Sequence, residues 1–385
     1  MYDWATDLFP FCRSITGEGV RDTLKYLKKI IPELNIKSVK TNEKFGDWEV
    51  PKEWNVKDAY ILDSNNNKIV DFKTNNLHLW GYSEPVNKTL NLEELQKHLY
   101  SIEDSPDSIP YVTTYYNKNW GFSMSHNQRK NLKSGKYKVV INSSLLDGEL
   151  NYGEILLNGR SKKEILISSY ICHPSMANNE LSGPCVLVSL VKNYLKKIDR
   201  NFTYRLILIP ETIGSIIYIN KHLEHLKKNV FCGLNLSCVG DNMSYSYLMS
   251  RNGNTFSDKV ANYLINQYYP GAKKFSFLSR GSDERNYCWP GVDLPIISLM
   301  RTRYGDYKEY HTSDDNLEFI SPEGLLGGYE INLNFLKIVE INKTYFSNTI
   351  GEPFLTKHKL RNRRMGNEPL DLSSFNVLNF LAYSD

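Results

Sequence analysis

Apolar positions near the N-terminus recur at helical spacing: Val20, Leu24, Leu27 and Ile30 or Ile31 share one face, with Pro32 near the end. Ahead of them, Arg13-Ser14-Ile15-Thr16-Gly17-Glu18-Gly19-Val20-Arg21 has two glycines and two hydroxyl residues, which suggests a tight turn and an N-cap. From about 45 to 140 the apolar runs become short, as in 58–62 and 68–72, and Trp48, Trp54, Trp80 and Trp120 fall among Pro- and Asn-rich breaks. That pattern predicts a small β-rich module inserted into a larger domain. From about 150 to 345 strands and helices alternate. Strands are predicted at 164–169, 204–209, 231–237 and 294–300, and helices at 183–195, 213–226 and 322–342. Such alternation implies an α/β fold, a mostly parallel (mixed) sheet with helices on both faces. Ligands of such sheets sit beyond the carboxyl ends of the strands.

The expected organisation is a main domain from 1–45 and 141–348, an insert at 46–140, and a linker at 349–385 that opens another small module. The basic run at 357–364 reads as solvated linker, and the helical pattern from 370 has no obvious finish, so a truncated C-terminal domain is expected. The length, 385 residues, allows two or three domains, and 41% hydrophobic with 23% charged residues excludes a mainly disordered chain. No run approaches eighteen apolar residues, and Met1-Tyr2-Asp3-Trp4 is no leader, so neither a membrane span nor a secretory signal is expected. A net charge of +4 is too slight to argue for nucleic acid. Six cysteines without short paired spacing read as buried thiols in a reducing, cytoplasmic compartment. The 26 tyrosines suit a sugar-binding cleft, yet Asn, Lys and Ile are abundant too, which favours a compositional origin.

Three short segments follow predicted strands. Ile171-Cys172-His173-Pro174 brings a histidine to a strand end, and Asn179-Glu180-Leu181-Ser182-Gly183 opens the next helix. Pro210-Glu211-Thr212-Ile213-Gly214-Ser215 places a carboxylate where it is either functional or a helix-start acid favoured by the dipole. Glu309-Tyr310-His311-Thr312-Ser313-Asp314-Asp315 sets a histidine beside acids in a loop. Arg301, Arg303 and Tyr304 follow a strand and precede His311, so they are candidates to hold a substrate carboxylate or to lie on the surface.

In order and spacing these segments resemble the zinc aminopeptidase superfamily that includes aminopeptidase Y and glutaminyl cyclase. The match covers about 150–345, with Tyr310-His311-Thr312 and Asp315 most specific and Ser282-Asp283 also similar. Across nearly the whole chain, residues 13–21, 47–54, 115–122 and 172–175 resemble an uncharacterised bacterial family. Its members are aminopeptidase-like proteins with an inserted small domain and a C-terminal winged helix, often encoded among surface-polysaccharide biosynthesis genes. The resemblance implies a zinc-exopeptidase-like fold and two metal ions, but Asn179, Thr212 and Ser237 stand where it implies acids. Two dications would lack the anions that offset their repulsion. One zinc is therefore expected, on His173 and His311 with Asn179 as a weak oxygen ligand and Glu211 as base or third ligand. Glu180, Asp241, Asp283 and Glu284 are near enough in sequence to replace lost acids. The implied function is a mononuclear zinc hydrolase of an amide, in a peptide N-terminus or an acylated amino sugar. The alternatives are a catalytically degenerate ligand-binding or regulatory protein, and a nucleic-acid-binding regulator acting through the missing C-terminal module.

Overall fold

Strands buried without alternation form the middle of the molecule. In the computed structural model, which describes residues 1–343, 350–359, 376 and 378–380, the strand Ser161–Tyr170 is buried at every position from Glu164 onward. Successive side chains point to opposite faces, so unbroken burial requires cover on both.

The main sheet has eight strands: β1 (Asn35–Lys40), β2 (Glu149–Leu157), β3 (Ser161–Tyr170), β4 (Phe202–Ile209), β5 (Val230–Leu236), β6 (Ser246–Leu248), β7 (Lys273–Phe275) and β8 (Ile296–Met300). Their spatial order is β1-β2-β4-β3-β5-β8-β6-β7. The central strands β4, β3, β5 and β8 run parallel, while β1, β2 and β6 pair antiparallel. The fold is thus α/β on a mixed sheet.

The helices are α1 (Tyr2–Leu8), α2 (Glu18–Ile30), α3 (Ser182–Leu190), α4 (Ile213–Asn229), α5 (Phe256–Tyr268) and α6 (Pro322–Ile341). Every residue of α3 is buried. Its Gly183 is required by close approach, because a Cβ there would lie 2.4 Å from Ser169 Oγ and 2.5 Å from Leu236 O. Ser168, on the opposite face of β3, lies 2.9 Å from the Tyr287 hydroxyl. The short helix Glu284–Tyr287 therefore covers one face and α3 the other. Helix α5 and strands β6 and β7 had no counterpart in the sequence reading. The strands are three residues each, too short for a period to register.

A second, antiparallel sheet orders Lys68–Asp71, Glu53–Leu62, Lys136–Leu146 and Val86–Asn91 side by side. The turn before α2 seats this sheet against the main body. Thr16 Oγ1 lies 2.6 Å from the Tyr82 hydroxyl and accepts from Trp54 N at 3.1 Å, and Trp54 stacks on Tyr82 with ring centroids 5.8 Å apart. Between its strands the chain sends out a loop whose Tyr111 N donates to His311 O at 2.8 Å. That pairing carries Tyr111 to the carboxyl ends of the main strands.

The chain divides into two compact units, Met1–Leu336 and Lys337–Asp385. The second contains the end of α6 and, among its described residues, a loop at 350–359 in which Leu355 is buried. The further module expected from about 370 lies outside the described residues, apart from four isolated positions.

Candidate active site

The pocket is built from strand ends, and its backbone is strained. Ser175, Thr212, Cys238 and His311 follow main-sheet strands or precede α6, and all adopt positive φ (44°, 65°, 52° and 58°); Tyr115, from the loop above, has φ 39°. For residues with a Cβ this costs about 1–3 kcal/mol each and persists only where surroundings enforce it. At Thr212 the enforcing group is Asp283, whose Oδ1 accepts from Thr212 N at 2.8 Å and from Ser215 Oγ at 2.7 Å. Arg285 adds a hydrogen bond to Thr212 Oγ1. The turn after β4 is thereby set to present Glu211.

His173, Glu211 and His311 line one cavity of about 380 Å³, together with Trp48, Tyr111 and Arg285 among others. His173 Nε2 lies 3.6 Å from Glu211 Oε2. The imidazole centroids of His173 and His311 are 5.5 Å apart, and Tyr111 packs edge-on against both at 5.3 and 5.2 Å. Behind the pocket, His173 Nδ1 is 2.9 Å from Glu180 Oε2. Arg13, from the turn before α2, donates through Nε to His173 O at 2.9 Å and lies 3.5 Å from Glu180 Oε1, with both side chains fully buried. A proton on Nδ1, donated to Glu180, leaves the Nε2 lone pair facing the cavity.

Electrostatics sharpen this picture. Burial, reinforced by Arg13, pulls His173 down to about 3, and burial with His173 as neighbour does the same to His311. Both are neutral imidazoles, the form that binds metal. Burial, then the nearby Asp283, pushes Glu211 up to about 8. Burial also pushes Glu180 up to about 8, with Arg13 pulling it back down, and raises Asp283 to about 6. Several buried atoms here have no hydrogen-bond partner, including His311 Nε2, Glu180 Oε1, Arg13 Nη2 and Asp283 Oδ2.

An orphaned, buried His311 Nε2 facing the same cavity as a free His173 Nε2 is the arrangement a cation would complete. Bonds of about 2.0–2.1 Å at a tetrahedral zinc put neighbouring ligand atoms roughly 3.3 Å apart, close to the His173–Glu211 separation. Two neutral imidazoles, with one carboxylate close enough to be third ligand or base, fit one zinc ion. Cys172, His173 and Glu180 also converge, with ligand atoms within 4.8 Å of one another. There, however, the buried Arg13 already faces the carboxylate, and burial holds the Cys172 thiol far above its ordinary range. A second cation has little to gain at that place.

The remaining sequence candidates lie elsewhere. Asn179 Oδ1 accepts from the Tyr170 hydroxyl at 3.0 Å, and its Nδ2 is buried without a partner. Ser237 Oγ is likewise buried and unpartnered. Arg301 donates to Asp241 O at 2.7 Å and packs on Tyr245. Arg303 bonds Ser279 O and Asp306, and Tyr304 donates to Glu284 at 2.6 Å. These five residues are absent from the cavity wall, and Asp283 acts on it from beneath. Asp241 is occupied by Thr302 and Asn178. Tyr111, Trp48 and Arg285 were not anticipated. Arg285 had a usable signal, a charged run of Asp283-Glu284-Arg285 beside a Pro-Gly turn, whereas Tyr111 depends on pairing with a loop two hundred residues away.

Comparison with known proteins agrees with the fold. The family described as "Domain of unknown function (DUF4910)" matches residues 2–342. A "putative polysaccharide biosynthesis protein with aminopeptidase-like domain" from Clostridium acetobutylicum is 42% identical over 390 residues, covering 100% of this chain and 88% of its own. A crystal structure described as a "putative peptidase" from the same organism is 43% identical with a TM-score of 0.88, covering 92% of this chain and 84% of its own. A zinc aminopeptidase from Bacillus subtilis has a TM-score of 0.64 at 12% identity, covering 89% of this chain and 95% of its own. That last likeness carries the fold alone. No helix among the described residues is long and apolar enough to cross a membrane.

Proposed function

The chain belongs to the DUF4910 family, and from that membership and the pocket we propose that it is a single-zinc hydrolase of an amide bond. The observation that supports this most is the convergence on one cavity of His173 Nε2, 3.6 Å from Glu211, with the unpartnered His311 Nε2. The peptidase-like fold and the polysaccharide wording of the relative's name point to two amide types, a peptide N-terminus or an acylated amino sugar. Six unpaired cysteines support a reducing, cytoplasmic setting.

His173 and His311 would hold the ion, and Glu180 with Arg13 fixes the His173 ring and tautomer. Zinc bound there supplies Lewis-acid polarisation of a carbonyl and a water. Glu211 takes the proton from the attacking water and delivers it to the leaving amine as the C–O bond forms and the C–N bond breaks. Arg285 tempers the charge on Glu211. Tyr111 and Trp48 line the cavity, Tyr111 packing edge-on against both imidazoles.

A second reading, ligand binding without turnover, draws support from the neutral Asn179, Thr212 and Ser237, and especially from the engagement of Asn179 Oδ1 by Tyr170. One experiment separates the two. Chelator-stripped protein is expected to take up about one zinc per chain, to lose that capacity in His311→Ala, and to hydrolyse N-acetylated amino sugars or aminoacyl amides only after zinc is restored. Zinc uptake without hydrolysis of either amide selects the second reading. No uptake, or hydrolysis indifferent to chelator, removes the metal from the proposal.

A further inference from the structure

Beside the histidine pocket lies a larger cleft that the hydrolase reading does not use. It has a volume of about 810 Å³ and runs between the turn at Val50–Lys52, the loop at 115–118 and the end of the strand Lys136–Leu146. The two cavities share Tyr115 and Tyr116 as common walls. At that seam the rings are presented to solvent. Tyr116 is 49% exposed and Trp48 38%, the two meet edge to face at 6.3 Å, and Tyr116 is fixed by donating its hydroxyl to Glu49 O at 2.8 Å. Large aromatic side chains left exposed and held in place along a concavity mark a ligand surface.

The chemistry of the walls selects the ligand. Charged side chains lining the cleft balance, Lys52 and Lys118 against Glu49 and Glu84. That balance gives no attraction to a polyanion such as nucleic acid or an acidic polymer. What remains is apolar surface, the rings of Tyr115 and Tyr116 with Val50, Pro51, Pro85 and Leu145, set beside small hydroxyl and carboxamide groups such as Ser144 and Asn117. Ring faces match the apolar C–H faces of a sugar, and the small polar groups match its hydroxyls. The cleft is of the size that buries a ligand of several rings.

We propose that this cleft binds a neutral oligosaccharide, whose N-acylated sugar enters the histidine pocket past Tyr115 and Tyr116. The inference rests on the amide-hydrolase reading for the reacting end only, and it selects the acylated sugar over the peptide. Binding to the chelator-stripped full chain, which turns over no amide, is measured by calorimetry with four probes: N-acetylglucosamine, N-acetylchitotetraose, a hyaluronan tetrasaccharide and tetra-alanine. The neutral tetrasaccharide is expected to bind at least tenfold more tightly than the monosaccharide, the hyaluronan fragment and the peptide. Tyr116→Ala, which removes the shared platform, and Ser144→Trp, which fills the cleft, are each expected to bring that ratio to within about threefold. A tetrasaccharide no tighter than the monosaccharide overturns the proposal, as does a peptide that matches it or a ratio unchanged in Ser144→Trp. Because binding is read without turnover, loss of length dependence beside intact chelator-sensitive hydrolysis sinks this inference alone. Length-dependent binding without hydrolysis sinks only the hydrolase.

Discussion

Strands β3 and β4 carry a cluster of ionisable groups along their length and another beyond their carboxyl ends, and the two clusters meet their charges in opposite ways. In the first, Arg205 of β4 forks onto Glu164 of β3 at 2.7 and 3.0 Å and reaches Glu154 of β2 at 2.7 Å. His225 closes on Glu164 at 2.8 Å. Glu164 stays below the ordinary carboxylate range because Arg205 and His225 outweigh its burial. Beyond the strand ends, burial wins at Glu211, Glu180 and Asp283, whose carboxyls are all raised, and buried polar atoms are left without partners. Cavity size does not separate the two, since the saturated network borders about 550 Å³ against 380 Å³ at the histidines. Satisfaction does. A fold that only needed stability would pair its charges as the Glu164 network does; unmet groups on a strained backbone are what a ligand-binding site leaves open.

The sharpest test is to break one member of each cluster. His311→Ala is expected to lower chelator-sensitive hydrolysis by on the order of 10³-fold, since it removes a proposed metal ligand, while stability in urea changes by about 1 kcal/mol or less. Arg205→Ala should do the reverse. The buried Glu164 loses its bidentate partner and the half-buried Glu154 one of its donors, which costs about 3 kcal/mol, while zinc uptake per folded molecule holds. If His311→Ala unfolds the protein as readily as Arg205→Ala, the open cluster is structural and the contrast fails.

A subtler change tests whether Glu180 belongs to the open cluster or merely neutralises Arg13. Glu180→Gln keeps an oxygen near His173 Nδ1 but removes the carboxyl group that orients the imidazole. A metal-binding role predicts zinc affinity weaker by about 10–100-fold, read by competition with a chromophoric chelator. Unchanged affinity together with lost stability would make Glu180 a counter-ion for Arg13 alone.

Much of this architecture could be read along the chain, for identifiable reasons. β3, β4, β5 and β8 are buried on both faces and spell continuous apolar runs, and α4 and α6 are long enough for their period to register. His173, Glu211 and His311 stood out because each follows such an element. The supporting groups were harder to see. Glu180 reaches His173 only because the wide turn Ala177–Leu181 folds back toward the strand end. Arg13 arrives from the far end of the sequence as a buried partner rather than a pocket residue. Tyr111 owes its position to hydrogen bonds with the loop at 311–313. Local pattern records which residues end a strand, whereas these contacts are set by tertiary packing that leaves no period.

The smallest effect is the one whose sign differs between the clusters. Glu164, depressed in the fold, contributes stability that is present above the ordinary glutamate value of about 4.5 and lost as pH falls through its folded value. Asp283 is raised from 3.8 to about 6, chiefly by burial, so the folded state binds its proton more tightly than the unfolded chain does. Its ionisation therefore subtracts stability as pH rises from about 4 to 6, and that deficit is fully present at pH 8. The same neutralising change should then act in opposite directions. At pH 8 Glu164→Gln is expected to lose about 1–2 kcal/mol, a loss that disappears in acid. Asp283→Asn, whose Oδ1 can still accept from Thr212 N and Ser215 Oγ, should match or exceed the wild type by about 1 kcal/mol at pH 8 and converge with it below pH 4. Urea titrations of the zinc-free protein at pH 4, 6 and 8 measure both. A loss at pH 8 in Asp283→Asn as large as that in Glu164→Gln would mean that the charge beneath Glu211 is already fully compensated, and the line drawn between the two clusters would have no electrostatic basis.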